Sequence, residues 1–151
     1  MSLESDIAVL ASVPLFEGLS GDQLRMLAFG AEHRRLRKGE TLFRLAARSD
    51  AGFVLKAGEV ELFRQHGRAS VSAGTCGPGA LLGEMALLTE TRRPVTVVTL
   101  TDCDFIRITR QLFRRMLEEY PEIAFQLHEK IAADLAQMTA EILAAGEKFE
   151  R

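Results

Sequence analysis

Gly83-Glu84-Met85-Ala86-Leu87-Leu88-Thr89-Glu90-Thr91-Arg92-Arg93-Pro94-Val95 sets a glycine, a carboxylate, a short apolar run and an arginine in close succession, just ahead of the largely apolar segment Val95 to Leu100. If Glu84 opens a short helix over Met85, Ala86 and Leu87, the first backbone N–H groups have no intrahelical partner and point outward, where an anion is favoured. Gly83 lets the backbone come close to that anion. Arg93 supplies a fixed charge and a planar fork that matches two phosphate oxygens. Glu84 is a poor neighbour for a phosphate and a good acceptor for a sugar hydroxyl, with its charge partly offset by Arg93 or Arg92. The chemistry that suits all of these groups is a small cyclic phosphodiester with an exposed ribose 2′-hydroxyl. Alone, so short a pattern also fits a surface helix start followed by an unrelated arginine.

The neighbouring segments decide between those readings. Upstream stand Leu15-Phe16, Leu19, Leu24 and Leu27, then Gly39-Glu40-Thr41-Leu42-Phe43, Phe53-Val54-Leu55, Ala57-Gly58-Glu59-Val60-Glu61-Leu62 and Pro78-Gly79. Downstream stand Asp102-Cys103-Asp104-Phe105 and Leu112-Phe113-Arg114-Arg115-Met116-Leu117. From about Ser12 to the C-terminal helix this order resembles the cyclic-nucleotide-binding domain family, which includes bacterial catabolite activator proteins, regulatory subunits of cAMP-dependent protein kinase and cyclic-nucleotide-gated channels. The stretch from Gly83 resembles that family's phosphate-binding cassette. The resemblance implies a ligand site formed by Gly83, Glu84, Met85, Ala86, Arg93, Pro94 and Val95, with Met138 and Thr139 placed to contact the base.

Periodicity gives a mainly β chain with flanking helices. Ser20-Gly21-Asp22-Gln23 is a capping box with Leu19 and Leu24 as a hydrophobic staple, so a short helix begins there and turns Leu24 and Leu27 inward. From about His33 to Ile108 short apolar runs are broken by Gly, Pro, Asp and Ser, the pattern of many short antiparallel strands. Gln65-His66-Gly67-Arg68 is a polar hairpin tip. Thr109 caps a helix holding Leu112, Phe113, Met116 and Leu117, and Pro121 fits the first turn of another, with Glu122 near its positive end. The expected fold is a double-stranded β-helix, or jelly-roll, barrel with an N-terminal helix and a long C-terminal helix. It forms one domain over 1–151: a helical segment 1–32, a barrel 33–108 and C-terminal helices 109–151.

Composition limits the function classes. A chain of 151 residues that is 47% hydrophobic can bury a core without staples. A net charge of −2 gives no general attraction to nucleic acid or to an anionic membrane. The basic run His33-Arg34-Arg35-Leu36-Arg37-Lys38 therefore reads first as a solvated strand edge. No apolar run is long enough to span a bilayer, and no signal segment opens the chain. Cys76 and Cys103 match no metal or redox spacing and suit packed thiols in a reducing cytoplasm. His33, His66 and His128 are scattered, so no metal site is expected. No nucleophile, base and orienting group occur together, and an enzyme is not expected.

Ile123, Leu127, Ile131, Leu135, Met138 and Ile142 recur at spacings of three or four and draw an apolar stripe along the last helix. One reading packs that stripe wholly within the monomer; another pairs the helix with its copy in a homodimer or with a protein partner. No helix-turn-helix follows it, so direct DNA binding is not expected. Three positions depart from the family pattern. Pro94 lacks the backbone N–H and the hydroxyl often found after the arginine, Leu82 replaces an aromatic residue, and Ala46-Ala47 stand where a glycine and an acidic residue are common. The missing hydroxyl favours cAMP over cGMP. The expected function is a cytoplasmic cyclic-nucleotide sensor that needs no cofactor and signals through its C-terminal helix. The alternative is a barrel that has lost nucleotide response and serves as a protein-interaction module.

Overall fold

The computed structural model describes residues 2–149, and for Leu135 and residues 137–149 it describes the backbone alone. Helix α1 (Leu3–Ala11) is capped by Ser2, whose hydroxyl accepts from the Ser5 N–H. A 3₁₀ turn at Pro14–Phe16 leads to α2 (Gly21–Gly30). The capping box at Ser20 is present in both directions: the Gln23 N–H donates to Ser20 Oγ at 3.3 Å and the Ser20 N–H to Gln23 Oε1 at 2.8 Å. The N-terminal segment thus holds two helices where that signal pointed to one.

Eight strands follow: β1 (Glu32–Leu36), β2 (Thr41–Phe43), β3 (Ala51–Ala57), β4 (Val60–His66), β5 (Ala69–Cys76), β6 (Leu81–Leu82), β7 (Thr96–Thr99) and β8 (Cys103–Thr109). They form two antiparallel sheets, ordered β1-β8-β3-β6 and β2-β7-β4-β5. The expected closed barrel is corrected to a sandwich. Closure needs hydrogen bonding between edge strands of one sheet and those of the other. Two of the edges are very short, with two residues in β6 and three in β2, and the sheets meet by side-chain packing. The β4–β5 hairpin turns at Gly67-Arg68, as the polar tip implied.

Side-chain alternation divides the core into two layers. Phe53 and Leu55 on β3, with Phe105 on β8, face the second sheet and pack with Leu42, Val60 and Val97. Their neighbours Val54, Ile106 and Ile108 point the other way, onto Leu10, Leu27, Phe113, Met116, Ile123, Leu127 and Ile131 of the helices. A strand buried on both faces needs apolar residues at consecutive positions, which is why Phe53-Val54-Leu55 shows no alternation. Each such side chain taken from water contributes about 1.5–3 kcal/mol.

Helix α3 (Arg110–Glu119) begins at Thr109, whose Oγ1 accepts from the Leu112 N–H at 3.1 Å. Helix α4 (Pro121–Phe149) starts at its proline. Ile123, Leu127 and Ile131 are buried within the protomer, so the first half of the apolar stripe is core. Leu135, Met138 and Ile142 lie outside the described side chains. β1 is a sheet edge with Glu32, His33, Arg34 and Arg35 exposed, as its charge suggested. His33 is nevertheless tied in: its Nε2 lies 2.6 Å from Asp6 Oδ2, while Lys56 Nζ donates to Asp6 Oδ1 at 2.6 Å.

Candidate functional site

Between β6 and β7 the chain makes a 3₁₀ turn, Glu84–Leu87, entered through Gly83 in the left-handed region at φ +82°. A β-carbon on Gly83 would overlap Arg93 Nη1. Glycine is thus required both for the backbone angle and for the approach of the guanidinium. Arg93 is held in place by its main chain, since its N–H donates to the Ala47 carbonyl at 2.8 Å and its own carbonyl accepts from the Ala46 N–H at 2.7 Å. Ala46 takes a φ of +67°, so alanine adopts here the conformation in which glycine is usual.

The Arg93 side chain lies inside the sandwich mouth at 4% exposure. Its guanidinium carbon stands 4.1 Å from the centroid of the Phe43 ring, close enough for a cation–π contact. Nη2 donates to the Ala51 carbonyl at 2.7 Å, while Nε and Nη1 are buried without a partner among the described residues. Burial pushes the guanidinium toward losing its proton, Asp50 opposes that, and Arg107 and Arg110 add to it. Arginine remains a cation in proteins, so the result is a buried positive charge with two unmet donors.

Glu84 faces the same space. Its Oε1 is buried and finds no donor among the described residues. The expected offset by Arg92 or Arg93 does not occur: Arg93 turns to Ala51, and Arg92 Nη1 donates to the Ala46 carbonyl at 3.1 Å. Asp134 of α4 lines the same cavity. Burial first, then the hydrogen bond to Asp134 and its negative charge, push Glu84 up to about 8.

Gly83, Glu84, Met85, Ala86, Arg93, Pro94 and Val95 all line one cavity of about 610 Å³. That is within the usual range for sites that enclose a small organic molecule, about 300–1,000 Å³. The cavity wall also includes Phe43, Leu82, Cys76 and, from α4, Ile131 and Asp134. Met138 and Thr139 lie outside the described side chains. Cys76 and Cys103 are both free thiols, and burial pushes the Cys76 thiol up. Phe43 and Asp134 were not singled out from the sequence. Phe43 was legible as the residue ending an apolar strand, whereas the place of Asp134 depends on how α4 lies across the sheets.

The cassette is joined to α3 through Arg110. Its Nε donates to the Ala86 carbonyl at 2.8 Å, and Nη2 donates to the Ser49 carbonyl. The 3₁₀ turn is thus hydrogen-bonded directly to the first residue of α3.

These features agree with the comparisons to known proteins. The model of the cyclic nucleotide-binding domain matches residues 33–120, and the chain belongs to that family. Cyclic AMP receptor protein of Thermus thermophilus is 28% identical over 130 residues, which make up 85% of this chain and 60% of that protein. A cAMP-dependent protein kinase regulatory subunit of Eremothecium gossypii is 31% identical over 103 residues, 68% of this chain and 22% of that one. The chain thus spans less than two thirds of either relative. Among solved structures, a cyclic nucleotide-binding-like protein from Brucella abortus superposes with a TM-score of 0.68 at 43% identity, over 75% of this chain and 97% of its own.

Proposed function

We propose that this chain is a cyclic-nucleotide sensor that binds a 3′,5′-cyclic purine nucleotide in the cavity beside α4, with cAMP favoured over cGMP, and reports occupancy through its C-terminal helices. The observation that carries this reading is the pair of unmet buried groups. Arg93 presents two N–H donors and Glu84 an acceptor oxygen to a single cavity. An unmet buried polar group costs about 1–3 kcal/mol, so a ligand that supplies an anion to one and a hydroxyl to the other recovers that cost on binding. A cyclic phosphate beside a ribose 2′-hydroxyl supplies both. Two relatives are themselves named for cyclic AMP, which supports the choice of purine.

In this reading Arg93 neutralises the phosphate, Glu84 accepts from the ribose, and Gly83, Met85 and Ala86 bring backbone close to the ligand. Pro94 and Val95 contribute apolar wall, and Met138 and Thr139 contact the base. Binding draws the 3₁₀ turn inward, Arg110 carries that shift to α3, and α4 follows, changing the surface offered to a second copy or another protein. The chain acts as a regulatory module and not as a catalyst. Pro94 favours a second reading, an interaction module without nucleotide response, because a charge-assisted bond worth about 1.5–3 kcal/mol is missing at that position.

Calorimetric titration with cAMP and cGMP, paired with melting curves, separates the two. The sensor shows heat and a raised melting temperature with cAMP, and both are lost in Arg93→Ala. No heat and no melting shift with either nucleotide at millimolar concentration would leave the interaction module standing.

A further inference from the structure

A charge buried as deeply as that of Arg93 is strongly disfavoured unless something compensates it. Among the described residues no carboxylate does so. Asp50 is engaged by Arg107, whose Nη2 donates to its Oδ2 at 2.9 Å, and Glu84 Oε1 meets no donor. What the guanidinium does meet is the Phe43 ring, 4.1 Å from its central carbon, with the Phe53 ring farther off at 5.8 Å. Phe43 ends β2, and its ring is braced from the core: Phe53 stands 6.1 Å away in a tilted contact, and Phe105 meets Phe53 edge-on at 6.3 Å. Phe53 and Phe105 are buried, so the aromatic row that ends at Phe43 is anchored between the sheets.

The chemistry of that partner decides what the arginine can still do. A carboxylate in place of the ring would accept from two guanidinium N–H groups at once and offset the charge. An aromatic face attracts the cation through its quadrupole, the more so where water is excluded, and takes none of the in-plane N–H groups. Nε and Nη1 are left buried and unmet, and Phe43 and Arg93 line the same cavity. We propose that Phe43 is a positioning residue: its ring seats the Arg93 guanidinium at the cavity with the charge and two donors intact for an anionic ligand. The seating is a property of the ligand-free protein, whereas its use by a nucleotide phosphate rests on the cyclic-nucleotide reading of the cavity. An apolar side chain without a π face cannot replace the ring, and another aromatic ring can.

The full chain is titrated with cAMP as parent, Phe43→Leu and Phe43→Tyr. Phe43→Leu should bind about tenfold more weakly, and Phe43→Tyr should stay within about threefold of the parent. Phe43→Leu that binds as the parent does, or Phe43→Tyr as weak as Phe43→Leu, overturns the positioning role while leaving the nucleotide site intact. Ligand-free melting separates seating from plain packing, through Phe43→Leu made in the parent and in Arg93→Leu. The melting temperature should fall further in the parent, where a cation loses its ring, than in Arg93→Leu, where none is present. Equal falls overturn the seating, and any loss of affinity is then Phe43's own contact with the ligand. If Phe43→Leu does not fold, Phe43→Met takes its place in both comparisons. If the parent shows no binding of cAMP, the nucleotide reading is the part that fails, and the melting comparison alone decides the seating.

Discussion

Arg93 and Glu84 hold opposite ends of the same problem, an ionisable group with buried hydrogen-bonding atoms left unmet among the described residues. Replacing Arg93 with methionine keeps an apolar stem against Phe43 and removes a charge with two unmet donors. Exchanging a buried charge for an apolar side chain of similar size is often neutral or stabilising, by about 1–4 kcal/mol. Ligand-free Arg93→Met should accordingly melt at or above the parent temperature while losing the stabilisation by cAMP. A large drop in melting temperature would mean that the arginine is structural. For Glu84 the pH dependence carries the test. Unfolded, a glutamate titrates near about 4.3; folded, this one is pushed up to about 8. Between those values the folded state holds a proton that the unfolded state has lost, so this group's contribution to stability falls as pH rises through the window and stays lost above it. Glu84→Gln should therefore match the parent near pH 4 and exceed it at pH 8 in urea unfolding. Identical pH profiles would show that the carboxyl is not buried as described.

At the scale of elements, the sandwich hangs on contacts that tie distant segments together, and α1 offers the sharpest case. Asp6 is 2% exposed and joins Lys56 of β3 to His33 of β1. Asp6→Ala would leave the Lys56 ammonium, itself mostly buried, with Ser5 Oγ as its remaining partner. Breaking a buried pair by removing one member costs about 3–5 kcal/mol, and the partial exposure of Lys56 places this case nearer 2 kcal/mol. Urea unfolding of Asp6→Ala should show that loss, and one below about 0.5 kcal/mol would mark the network as incidental. The local signals were legible in advance: Ser20 and Gln23 as a capping box, Thr109 as a helix start, Pro121 as a first turn and Gly67-Arg68 as a hairpin. The gathering of Gly83, Glu84 and Arg93 at one cavity was legible too, because they sit close together along the chain. The Asp6 network and the place of Asp134 beside Glu84 at the cavity were not, because each brings together residues some fifty apart in sequence whose meeting depends on how helices lie across sheets. The barrel was misread for a related reason. Strand patterns report which residues alternate, but whether edge strands pair depends on lengths and tilts that are set only when the layers assemble.

For the whole molecule, α4 is the element through which contact with another protein is proposed. It runs for 29 residues, about 43 Å at 1.5 Å per residue. Its first half is committed to the core through Ile123, Leu127 and Ile131. Ile131 is therefore withdrawn from any dimer surface, and the self-association proposed here falls to Leu135, Met138 and Ile142, which continue the sequence spacing of three and four. A parallel pairing of two copies along that face is the arrangement proposed here, and it is isologous, so each copy supplies the same residues to the other. In the proposed reading association is linked to occupancy, because α3 and α4 follow the 3₁₀ turn through Arg110. Sedimentation velocity on the parent should show a dimer whose strength changes with cAMP. Leu135→Glu, which sets a charge at the centre of an apolar contact, should shift it to monomer while its ligand-free melting curve stays that of the parent. A parent that remains monomeric at every concentration, with and without cAMP, would remove the homodimer and assign the stripe to a different protein.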